Sequence, residues 1–130
     1  MTRSNCPHRS IIFRICVLVT LLAMNSAQAE EQAAVKRGDD LWHSPTLGRN
    51  GLACDNCHPN SAATHPHSWP RYQINLSKVG TLREMMNWCI TVSMLGKPLP
   101  IHSDEMDDME AYVNYMHRDD AISLAQSEQR

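Results

Sequence analysis

The segment Cys54-Asp55-Asn56-Cys57-His58 sets two thiols three residues apart, with an imidazole directly after the second. This C-x-x-C-H spacing is the attachment signature of a c-type haem. Two thiols about one turn apart can each add to one vinyl group of the same porphyrin. The histidine that follows then lies under the iron as the proximal ligand. Covalent attachment also keeps the cofactor from being lost after export. Two other chemistries use paired cysteines. A thioredoxin-like pair needs a βαβ setting, which is absent here. A zinc site usually needs a second ligand pair at similar spacing. Cys89 with His65, His67 or His102 would supply one only by accident.

The remaining residues must position this peptide and cover the macrocycle. The chain has 130 residues, the length of one domain. Residues 1–29 read as a secretory signal. Arg3 and Arg9 give the charged start, a short apolar run ends at Met24, and Ala27-Gln28-Ala29 suits cleavage. The run is short for a bilayer span, an uncleaved anchor being the alternative. Removing residues 1–29 leaves 101 residues with nine Lys and Arg against 14 acids, a net charge near −5. That balance, with no basic patch, argues against nucleic acid and suits docking on basic protein surfaces. Cys6 and Cys16 leave with the signal. Cys54, Cys57 and Cys89 remain, an odd number that fits poorly with a disulfide framework in an oxidising compartment. The expected organisation is a signal peptide over 1–29, a mono-haem domain over 30–118 and a polar tail over 119–130. The product is expected in the periplasm, with no membrane span after cleavage.

Glu30 to Trp42 reads as a short helix stopped by Ser44-Pro45. Gly38 inside it costs about 1 kcal/mol relative to alanine, which makes sense where a second helix packs close. Residues 46–69 are loop-rich, and 71–80 read as polar and irregular. Thr81 and Glu84 form a capping-box pattern. Leu82, Met85, Met86 and Cys89 then share one helical face. Gly96, Pro98 and Pro100 end that helix. Ser103 caps a third, with Met106, Met109, Val113 and Met116 as its apolar stripe. Met85 and Met86 are candidates for the haem face, whereas His65 and His67 are expected in solvent. No strand is expected. The fold class is all-α, with about three helices and long loops wrapped round one haem, which provides the interior that the loops lack.

From about Lys36 to Met116 the chain resembles class I cytochrome c. "RGDDLW" looks like that family's first helix and "MEAYVNYM" like its last. The resemblance implies that the two cross closely, with Gly38 opposite Tyr112 or Tyr115. It implies that Pro70, in "SWPRY", offers its carbonyl to His58, and that Trp69, Arg71 and Tyr72 surround the haem. It further implies a distal methionine before the last helix, but "GKPLP" puts Leu99, which has no donor atom, in that place. Cys89 is the first choice for the distal ligand. It lies on the apolar face of its helix, and an exported thiol without a partner is otherwise unexplained, although free cysteines are also commonly buried and inert. The run "LREMMNWCITVSMLGKPLP" is also similar to haem domains of thiosulfate dehydrogenases and related sulfur-oxidation cytochromes, and this likeness implies a His58/Cys89 pair. Met94 is the alternative, followed by His102 or an open position.

No catalytic base, nucleophile pair or oxyanion device is evident. The expected function is single-electron transfer by a periplasmic mono-haem cytochrome that exchanges electrons with redox protein partners. The alternative is a haem subunit of a thiosulfate dehydrogenase-like, sulfur-compound oxidoreductase, acting beside a larger haem subunit. In that case Arg71 or Arg83 could bind an anion. A haem-based gas or redox sensor is a third class.

Overall fold

The computed structural model describes residues 7–120, with side-chain surroundings for 24–120. Residues 1–6 of the expected signal and 121–130 of the expected tail lie outside the described residues. The chain divides into two compact units, Met1–Gln32 and Ala33–Arg130. Helix α1 runs over Pro7–Trp42, starting well before the expected Glu30. No helix among the described residues is long and apolar enough to cross a membrane. Everything that follows concerns the second unit.

Its frame is the pairing of the last turns of α1 with α3, Asp104–Met116. Ser103 Oγ accepts from Met106 N and starts α3 as expected. Met106, Met109 and Val113 are wholly buried. Met116 is not; it is 39 % exposed, and Tyr112 (3 %) completes the buried stripe instead. The stripe drifts round the helix and reaches solvent in the final turn. Gly38 supplies the close approach between the two helices. A Cβ there would lie 2.0 Å from the Asp108 carbonyl oxygen and 2.7 Å from Tyr112 Cβ. Beside this crossing, Arg37 donates to the Asp108 carboxylate at 2.7 and 2.9 Å. The Trp42 and Tyr112 rings lie 5.8 Å apart. Gly38 thus faces Tyr112, one of its two expected partners.

Helix α2, Leu82–Trp88, opens with the expected capping box. Thr81 Oγ1 accepts from Glu84 N at 3.2 Å, and Glu84 Oε2 accepts from Thr81 N at 2.8 Å. Arg83 ties α2 to α3: its Nε donates to Glu110 at 2.7 Å, and Nη1 reaches Asp107 at 2.6 Å and the Ile101 carbonyl at 2.7 Å. These partners hold its guanidinium more firmly protonated than usual, Glu110 contributing most. Arg83 is therefore a strut between helices and does not line the cavity described below. Beyond α2, Asn87 clamps the segment before α3 through two 2.8 Å bonds to the Leu99 backbone.

One element differs from expectation. Residues 71–80 form a hairpin, with β1 (Arg71–Gln73) antiparallel to β2 (Lys78–Gly80) and Tyr72 opposite Val79. Strands of three residues are too short to display alternation as a sequence pattern. Their polar character has a structural cause: the Arg71 and Gln73 side chains face inward to a cavity, while Tyr72 is 65 % exposed on the other face. The fold is otherwise the small helical, loop-rich domain expected.

Candidate functional site

The peptide Cys54–Asn56 forms a 3₁₀ turn that continues through backbone bonds from Cys57 N and His58 N to the Cys54 carbonyl, 3.2 and 3.0 Å. Asn56 closes the turn by accepting from Ala53 N at 2.7 Å. Cys54, Cys57 and His58 are thereby wound into one turn and all line the same cavity. The turn is pinned from outside. Trp42 Nε1 donates to the His58 carbonyl at 3.1 Å, and Asp55 accepts from Asn60 N at 2.7 Å. His43 Nε2 reaches Asp55 at 3.1 Å. The Asp39 carbonyl, followed by the charges of Asp55 and Asp39, keeps His43 protonated above its ordinary range despite partial desolvation. Sequence inspection had no signal for Trp42 as a support of the haem peptide, because it sits 16 residues upstream on another element.

The cavity has a volume of about 340 Å³, within the range of about 300–1,000 Å³ usual for cofactor sites. Met85, Met86, Cys89 and Met94 line it as well. Cys89–Ser93 is a π turn, with Met94 N donating to the Cys89 carbonyl at 3.0 Å. Such turns interrupt α-helices mostly as single units, frequently at functional sites. Leu99 packs against the core, His102 is exposed, and neither lines the cavity. Trp69 and Arg71 do, with the guanidinium 4.6 Å above the indole ring. Pro70 and Tyr72 are exposed and lie outside the lining. Gln73 and Asn75 line it too; alternation along the strand from Arg71 points to Gln73, whereas Asn75 lies in the turn beyond it.

His58 Nδ1 lies 2.9 Å from the Ala62 carbonyl. Pro70 is therefore not its partner; the acceptor comes from the loop four residues downstream. A metal-bound histidine needs such an acceptor on its second nitrogen. Burial pushes the Cys54 thiol up to about 12, with the nearby Cys89 sulfur adding to the effect. Burial likewise raises Cys89, and Cys57 contributes. The three sulfurs thus sense one another across a single apolar space. None of the three forms a disulfide. Among the described residues, no group of three or more His, Cys, Asp or Glu side chains is placed to hold a bare metal ion. The site fits a haem by its donor set: paired thiols and an imidazole wound into one turn, with the sulfur-bearing Cys89 and Met94 and apolar side chains lining the same cavity.

Comparison with known proteins agrees with this chemistry. Residues 37–122 match the family described as SoxA/TsdA, cytochrome c domain. A thiosulfate dehydrogenase from Psychrobacter arcticus is 28 % identical over 100 residues, covering 67 % of this chain and 31 % of that protein. The L-cysteine S-thiosulfotransferase subunit SoxA from Paracoccus pantotrophus is 30 % identical over 92 residues, covering 69 % of this chain and 31 % of that subunit. The chain thus spans about a third of the length of these curated relatives. No solved structure matches.

Proposed function

The chain belongs to the SoxA/TsdA cytochrome c domain family, which implies covalently bound haem c, and on that premise we propose a mono-haem carrier of single electrons in the periplasm. Cys54 and Cys57 hold the haem, and His58 is the proximal ligand. Cys89 is the distal ligand, with Met94 the alternative. Trp69 and Arg71 border the haem, and one haem serves the whole domain. Residues 1–29 are the export signal, 30–118 the haem domain and 119–130 the tail. The observation that supports this most is the convergence of Cys54, Cys57, His58, Cys89 and Met94 on one apolar cavity.

Bound haem supplies a one-electron couple at its iron. The protein's contribution is ligand choice, burial and orientation. A Cys89 thiolate would hold the ferric state and lower the potential, whereas a Met94 thioether would raise it. Ala62 fixes the imidazole plane by accepting from His58. Trp42 and Asn56 fix the turn that carries all three attachment residues. The absence of an evident acid–base pair in the sequence favours electron carriage over catalysis by this chain alone.

A second reading follows from the names of the relatives, a thiosulfate dehydrogenase and a thiosulfotransferase subunit. In it the domain is a haem subunit of a sulfur-compound oxidoreductase, working with a larger redox partner. Arg71, which lines the cavity, is then the candidate anion contact, not Arg83. The experiment is export and maturation of the full chain. The primary proposal expects a coloured product whose mass exceeds the processed polypeptide by one haem. It expects a ferric electron-resonance signal that changes in Cys89→Ser and is retained in Met94→Leu. A colourless product at the bare polypeptide mass refutes the haem assignment. Thiosulfate-dependent turnover by the purified chain would favour the second reading over the first.

A further inference from the structure

His117 stands at the C-terminal end of α3, far in sequence from the haem peptide, and is tied to it. Its Nε2 lies 2.8 Å from the Ser61 carbonyl and 3.1 Å from Thr64 Oγ1. Its Nδ1 lies 2.7 Å from the Asp120 carboxylate. A carbonyl and a carboxylate both accept only, so both ring nitrogens donate, and the imidazolium satisfies both at once. Burial alone would lower its affinity for a proton, but the Ser61 carbonyl and Asp120 outweigh this and the net effect is upward. The other titratable groups round the ring are His67, whose Nε2 meets the His117 carbonyl at 3.0 Å, and His65, whose ring centroid is 6.4 Å away. Arg118 stacks on Tyr115.

The segment that His117 grips is held in an unfavourable conformation. Asn60, Ser61, Ala63 and His65 all have positive φ, from 48° to 65°, and none is glycine. Such backbone persists only where surrounding contacts over-determine it. Ser61 is completely buried, and its oxygen takes bonds from both His117 and Thr64 Oγ1, the latter at 2.8 Å. The next peptide carries the Ala62 carbonyl that accepts from His58 Nδ1. One peptide unit therefore separates the anchor on α3 from the group that orients the imidazole.

We propose that His117 is a positioning residue for His58: by holding the Ser61 carbonyl it fixes the Ala62 carbonyl against the His58 ring. This rests on His58 being the proximal ligand. The hydrogen bond from His58 makes its ring a stronger donor to the iron, which stabilises the ferric state. Releasing the anchor weakens that bond and raises the reduction potential.

The test compares His117→Leu with His117→Gln in the haem-loaded protein. Both lose the ring charge, but glutamine keeps an N–H near the Nε2 position. The expected result is a higher potential in His117→Leu than in His117→Gln, with displaced or broadened ferric electron-resonance g-values in His117→Leu. Identical potentials and g-values in the two variants overturn the proposal. Should His117→Leu fail to fold, the wild-type ferrous protein serves. The His58 ring N–H resonance is expected to move with the titration midpoint of the His117 ring, and a His58 resonance unmoved through that midpoint overturns the proposal. Loss of haem or of low-spin ligation in His58→Ala, beside a normal wild type, establishes the proximal role independently. A normal spectrum in His58→Ala would refute that role instead.

Discussion

Replacing Gly38 with alanine separates packing from helix propensity, because the two act in opposite directions. Propensity alone predicts a gain of about 1 kcal/mol for Gly→Ala within a helix. The added Cβ, however, would sit 2.0 Å from the Asp108 carbonyl oxygen, 2.7 Å from its carbonyl carbon and 2.7 Å from Tyr112 Cβ. These neighbours are backbone and a Cβ, so no side-chain rotation can clear them. Helices α1 and α3 must part by about 1 Å. A gap of that size forfeits roughly a quarter to a half of each contact energy across it, and it stretches the Arg37–Asp108 pair beside it. Overpacking costs typically about 1–3 kcal/mol, and the rigidity of this contact puts it near the top of that range. The net loss is about 2 kcal/mol, which for a domain of this size lowers Tm by roughly 8–16 °C. Thermal unfolding of the haem-loaded protein, followed by far-ultraviolet circular dichroism, reads it directly. A Tm equal to or above that of the wild type would refute the close helix crossing as the basis of the fold.

Three further outcomes are expected. Asn87→Ala removes both bonds to the Leu99 backbone, 2.8 Å each, and should cost about 1–3 kcal/mol in a urea titration; Asn87→Asp, which can still accept from Leu99 N, should fall between. Lys78 and then the Thr81 N–H hold the Glu84 carboxyl at about 2, below its ordinary 4.5; its stabilisation is therefore present above about pH 4.5 and fades as pH falls toward 2. Glu84→Gln should flatten that part of the acid limb, measured as urea midpoints between pH 6 and pH 2.5. In the haem-free folded chain at pH 8, only about 10⁻⁴ of Cys54 is thiolate, given its value of about 12. Iodoacetamide should reach exposed Cys57 before Cys54, as mass mapping would show, and equal rates would contradict the burial of Cys54.

Legibility from the sequence followed the range of the forces involved. Local signals were readable: the Thr81–Glu84 box, the Ser103 cap and the stripe of Met106, Met109 and Val113 all act within one helix. Gly38 was readable as well, because a residue that costs a helix stability needs a reason nearby. The hairpin was not, since Tyr72 and Val79 declare themselves only once paired. Nor was the partner of His58. The Ala62 carbonyl reaches it through the positive-φ residues Asn60 and Ser61, a local path that the sequence pattern does not announce. Nor was the tie between His117, at the end of α3, and the Ser61 carbonyl, 56 residues away in sequence. Each miss rests on a contact between segments that neither segment announces by itself.

The segment around Cys89 makes the same point. Leu82, Met85, Met86 and Cys89 follow a helical period, and that period cannot bring Met94 to the face of Cys89. Five α-helical residues turn through about 500°, which leaves the two side chains roughly 140° apart. The π turn over Cys89–Ser93 spends one extra residue in a single loop of backbone, and Met94 closes it onto the Cys89 carbonyl at 3.0 Å. Both residues then line the cavity. The chain ends the turn at once: Leu95 takes φ +57°, and Gly96 N donates to the Ile90 carbonyl at 2.7 Å. A Cβ at Gly96 would lie 2.0 Å from the Leu47 carbonyl oxygen, so this exit exists only with glycine there. A thiol and a thioether residue are therefore brought to one cavity by a break in helical period. A regular helix through the same residues would have offered the cavity one of them.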